Sequence, residues 1–190
     1  MKRFVALLLF VVLILVAGCG TTPEPEVVSH PFDTTNLSAH EIDTLALIYG
    51  ADTLEEAVYI AITNRAGGRD DIILDEISAN EATGSVSIHY NRDMYVSASR
   101  TLQTMLEETR LVLSRLQIRE DVQEVSFFWD LPFRDTQGNE FYEHALMLRY
   151  ERGTLDNVRF RGVLTVTDDM IEHADEYFMH DIFRRALDSE

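Results

Sequence analysis

Four residues near the end of the chain have types and spacing suited to chemistry: Asp169, His173, Glu176 and His180, separated by four, three and four positions. On a helix, at about 100° per residue, they fall within a stripe roughly 60° wide. Two imidazoles and two carboxylates on successive turns can ligate a divalent cation such as zinc. A metal-assisted hydrolase built on His173, Glu176 and His180 is the enzymatic reading of that stripe. The competing reading is a solvated helix face steadied by Asp–His and Glu–His pairs. There is no HExxH spacing, and ligands one to two turns apart need a third element to close a site.

Two further histidines, His89 and His144, fall one on each of two hairpin-like segments. Strict alternation puts His89 on the polar face of its strand and His144 among the apolar residues of its own, so each reads as a hydrogen-bonded structural histidine. Phe127-Phe128-Trp129, with Phe133 nearby, places apolar side chains on both faces of one strand. Such a strand is covered on both sides or leaves an exposed patch that binds something. Phe128, Trp129 and Phe133 are therefore the candidate binding residues. GxSxG, a phosphate-cradling Gly-rich loop, GxGxxG, an EF-hand loop and zinc-type cysteine spacing are all missing from the sequence.

The first nineteen residues say where such a domain would work. Lys2 and Arg3 precede an unbroken apolar run from Phe4 to Ala17, shorter than the roughly 20 residues that span a bilayer. This is the layout of a secretory signal peptide. The run ends Leu15-Val16-Ala17-Gly18-Cys19, which resembles the lipobox of bacterial lipoproteins. That resemblance implies cleavage after Gly18 and a diacylglyceryl thioether on Cys19. It covers only the leader and implies nothing about the body. Each buried methylene contributes about 0.8 kcal/mol, so two or more acyl chains hold a protein stably at a membrane. The implied location is the extracytoplasmic face of a cell membrane, with a possible envelope protein as partner and no cofactor beyond the lipid.

Composition narrows the partners. The 190 residues carry a net −17, and −19 once Lys2 and Arg3 are left out. Nucleic acid is excluded as a partner, because binding there needs clustered Lys and Arg. Anionic lipid would repel the domain rather than let it lie flat. Basic partners and cations are favoured. Cys19 is the only cysteine, so the core has no internal disulfide and no thiolate metal site to stabilise it.

The remaining segments describe a leash and a domain: residues 1–18 as leader, 19–36 as lipidated cysteine and flexible linker, 37–190 as a single acidic α+β domain. Pro23, Pro25 and Pro31 keep the linker extended. Ser38-x-x-Glu41 and Thr53-x-x-Glu56 open two short helices. Segments 72–79 and 85–91 read as one hairpin, with Val86, Ile88 and Tyr90 alternating against Ser85, Ser87 and His89, so this sheet faces water on one side. Ala98, Leu102, Met105, Thr109, Val112 and Leu116 mark a long helix across 94–118. Segments 122–133 and 140–149 form a second hairpin around the turn 135–139. A last helix follows from Thr167, with Ile171, Ala174, Phe178 and Ile182 as its buried stripe. The order α-α-ββ-α-ββ-α points to an α+β fold: two antiparallel hairpins forming a sheet, packed against the central and C-terminal helices.

Overall fold

A computed structural model of the chain describes residues 32–64, 72–93, 97–161 and 168–190. The chain divides into two units, Met1–Asp33 and Thr34–Glu190, and the second contains every element described below. In order these are α1 (Ala39–Gly50), α2 (Leu54–Thr63), β1 (Ile72–Asn80), β2 (Ser85–Arg92), α3 (Ala98–Leu116), β3 (Glu124–Arg134), β4 (Glu140–Glu151), α4 (Arg152–Asn157), α5 (Asp168–Glu172), β5 (Glu176–Met179) and α6 (Asp181–Asp188). The fold is α+β around one five-stranded sheet of order β1-β2-β3-β4-β5. Among the described residues no helix is long and apolar enough to cross a membrane.

The helices begin where the side chains dictate. Ser38 and Glu41 form a full capping box at α1, and Thr53 accepts from the Glu56 amide at α2. Arginines close two C-termini. The Arg119 guanidinium donates to the carbonyls of Ile48 (3.0 Å) and Ala51 (2.8 Å), and Arg152 donates to those of Gln117, Arg119 and Val122. Both place positive charge at the negative end of a helix dipole. The amides of Ala98 and Ser99 at the start of α3 donate to the Glu190 carboxylate. The Ser99 side chain, together with these two amides, holds that carboxyl below its ordinary range.

Both hairpins form as the sequence indicates, β1 with β2 and β3 with β4, each antiparallel. They are joined differently from an all-antiparallel sheet, because β2 and β3 lie parallel. Such a pairing needs a crossover of a dozen or more residues, and α3 with its flanks supplies it. Gly84 fixes the seam. Its φ is +70°, its carbonyl accepts from the Gln123 amide at 2.8 Å, and a Cβ there would sit 2.3 Å from the Asp121 oxygen.

The long C-terminal helix is replaced by helix, strand and helix. Asp175 leaves the helical path by donating its amide to the Arg149 carbonyl, and its side chain accepts from the Glu151 amide. The next four residues then pair with the outer edge of β4. Glu176-Tyr177-Phe178-Met179 is rich in strand-favouring aromatics, and the open edge of β4 offers a row of unpaired groups. Tertiary pairing overrides the helical period. Phe178 and Ile182, expected as part of a buried stripe, are exposed, whereas Met170, Met179 and Phe183 are buried.

One sheet face carries the core. Val86, Ile88 and Tyr90 of β2, Val125, Phe127 and Trp129 of β3, and Leu146, Leu148 and Tyr150 of β4 are fully buried, as are Met105, Leu106, Val112 and Leu113 of α3. Trp129 stacks on Tyr90 at 4.3 Å and donates Nε1–H to Thr109 Oγ1 at 3.2 Å, tying sheet to helix.

Candidate functional site

The other face of the same sheet has no covering layer among the described residues. Registry lines up one row across it, with Glu76 of β1 opposite His89 of β2, then Phe128 of β3, Met147 of β4 and Phe178 of β5. His89, Phe128 and Met147 are half-buried, and Phe178 is 48% exposed. The His89 and Phe128 rings stack with centroids 4.4 Å apart and planes 10° from parallel. Ile73 (61% exposed) and Tyr142 (50%) occupy the same face through their pairings with Asn91 and Pro132. This is the apolar surface that the sequence left undecided at Phe128.

His144 belongs to this surface, contrary to strict alternation. Trp129 pairs with Leu146 but Asp130 pairs with His144, so Ala145 is an extra residue in β4. A one-residue bulge reverses facing for everything before it. Leu146, Leu148 and Tyr150 stay on the core side, while His144 and Tyr142 turn to the open side. There the His144 ring lies 5.3 Å from Phe128 and 6.0 Å from His89, and its Nδ1 is in hydrogen-bond contact with Asp130 Oδ1. The two histidines therefore do meet, with Phe128 between them.

Trp129 and Phe133 do not reach this surface. Both are buried on the core side, so Phe128 alone of the three sequence candidates is accessible there. The fate of the presumed metal ligands follows from the broken helix. Asp169 is on α5, His173 is in the turn after it, Glu176 opens β5 and His180 precedes α6. They share no helical stripe. Glu176 pairs with Arg149 at 3.0 Å. His180 accepts from the Ile182 amide through Nδ1 at 3.1 Å, capping α6, and approaches Glu143 through Nε2 at 3.3 Å. Among the described residues no group of three or more His, Cys, Asp or Glu side chains is arranged to hold a metal ion. Cys19, the leader and most of the 19–36 linker lie outside the described residues.

Sequence reasoning missed Met147, Phe178 and Asp130. Alternation could have found Met147, which sits between Leu146 and Leu148 and must face away from both. Phe178 was hidden by a helical period that the strand overrode. Carboxylates surround the row: Glu76, Glu124, Asp130, Glu151 and Glu176 are all on this face by register. Arg149 stitches three of them together, at 3.3 Å to Glu124, 3.6 Å to Glu151 and 3.0 Å to Glu176. The result is an aromatic and thioether band inside an acidic rim. No protein-family model, no curated protein and no solved structure matches the chain.

Proposed function

We infer that the protein is a lipid-anchored, extracytoplasmic binding module of a bacterial cell envelope. Diacylglyceryl-modified Cys19 holds it at the membrane, residues 19–36 act as a spacer, and the open sheet face receives an envelope protein. The observation that carries the reading is the row His89, Phe128, Met147 and Phe178, an apolar band on a sheet face without a covering layer among the described residues. Aromatic and methionine side chains are enriched where proteins meet, and a flexible thioether adapts to the partner's shape. The carboxylate rim gives the partner its character: an apolar centre bordered by Arg or Lys, attracted by the strong negative charge of the chain.

Two measurements on the full chain in a bacterial host test this. Mass analysis of the mature N-terminal peptide is expected to give diacylglyceryl on Cys19, and Cys19→Ser is expected to release the protein from the membrane fraction. An unmodified Cys19 ends the anchor. A photo-crosslinking residue at position 178 is expected to trap one discrete envelope protein. The same group at Glu55, on the exposed side of α2, is expected to trap none. Equal yields at the two positions end the open-face reading.

A further inference from the structure

On the helical side of the molecule a cavity of about 110 Å³ is lined by Glu41, Leu45, Arg110, Leu111, Ser114, Arg115 and Arg161. Three arginines and one glutamate line it, within a chain whose net charge is −17. Glu41 is held from outside the cavity, its carboxylate accepting from the Ser38 amide and hydroxyl at 3.0 and 2.8 Å. Those bonds, helped by Arg161 and Arg115, hold it below the ordinary carboxylate range, so it stays ionised. The arginines are fixed from behind. Arg110 donates to the Phe160 carbonyl at 3.1 Å, and Arg115, only 7% exposed, donates to that of Ala61. The Nε–H of Arg110 is buried without a hydrogen-bond partner among the described residues, and an orphaned buried donor costs about 1–3 kcal/mol. Arg161 makes no ion pair within the described residues.

We propose that this cavity binds a small carboxylate, its anionic end on Arg110 and Arg161 and its short aliphatic end on Leu45 and Leu111. The planar fork of arginine matches a carboxylate with two parallel hydrogen bonds. The apolar wall selects an acid with a short tail over a bare anion. The volume is below the roughly 150 Å³ of a benzene-sized cavity, which limits the ligand to a few heavy atoms. The site is independent of the open sheet face, because it lies between α1, α3 and the segment after α4.

The test is calorimetric titration of the full chain in detergent with propionate, inorganic phosphate and chloride at matched ionic strength. Saturable heat with propionate is expected, at least tenfold tighter than with phosphate and absent with chloride. Arg161→Gln, which breaks no hydrogen bond among the described residues, is expected to weaken propionate at least tenfold. Leu111→Asn is expected to remove the preference over phosphate. Equal responses to all three salts, or propionate binding unchanged in Arg161→Gln, overturns the proposal.

Discussion

The two faces of the sheet share the same five strands and differ in almost everything else. Neighbouring residues of β3 show it best. Trp129 is fully buried, stacked on Tyr90 and bonded to Thr109 of α3, while Phe128, one position earlier, is half-buried against His89 and His144 on the open side. On the covered face each large side chain is locked between sheet and helix. On the open face Phe128 stacks on His89 and lies against His144, both on neighbouring strands. Stability and recognition have thus been separated by the two-residue period of a strand. Substitutions one residue apart should separate in the same way.

The largest effect should come from the covered face. Trp129→Ala removes a fully buried indole and leaves Thr109 Oγ1 without its donor. Chemical denaturation is expected to give a loss of about 3–5 kcal/mol. Phe128→Ala in the same experiment should lose less than half as much, since only ring stacking and partial burial are forfeited. Equal losses would mean that the two faces are packed alike.

Tyr150 sharpens the contrast through pH. Its phenol is buried on the covered face and donates to the Met170 carbonyl at 2.6 Å. Burial, with the Asp175 carboxylate adding to it, holds the phenol well above its ordinary value. The unfolded chain therefore ionises first as pH rises. The stabilising contribution is complete below about pH 10, the unperturbed value, and is lost progressively above it. Tyr150→Phe should cost about 1 kcal/mol at neutral pH for the lost hydrogen bond. It should also flatten the alkaline decline, which denaturation curves between about pH 8 and 11 would show. An unchanged decline would place its origin elsewhere.

Much of the covered face was legible in the sequence, because it obeys simple periods. Val125, Phe127, Trp129 and Leu131 alternate and are all buried, and α3 follows its expected stripe through Met105, Thr109, Val112 and Leu116. The Ser38–Glu41 capping box, the Thr53 cap and the Asp135 turn are equally local, set by side chains within a few residues. What the sequence hid was decided by distant partners. The Ala145 bulge exists because β4 must match β3 before and after it, and no local feature of Glu143-His144-Ala145 announces that. The parallel placement of β2 beside β3 depends on where α3 docks. The strand β5 depends on an edge of β4 that lies far earlier in the chain, Leu146 pairing with Met179 and Arg149 with Glu176. Each non-local decision moved candidate-site residues: the bulge turned His144 outward, and β5 brought Phe178 to the row while dispersing Asp169, His173, Glu176 and His180.

The smallest stability effect is expected where the functional effect should be largest. Phe178 is 48% exposed on the short edge strand β5, and Met147 is its cross-strand neighbour. Replacing it by Ser removes apolar surface that water already reaches, so unfolding free energy should change by no more than about 0.5 kcal/mol. If the open face is the contact surface, the same substitution deletes an aromatic anchor, and such residues commonly carry more than about 2 kcal/mol of binding. Crosslinking from a neighbouring position such as Met147 should then fall at least tenfold in Phe178→Ser at unchanged protein level. A stability loss above about 2 kcal/mol would instead mean that Phe178 is part of a packed interior. The distinction between the faces would then be lost, since both would be serving the fold.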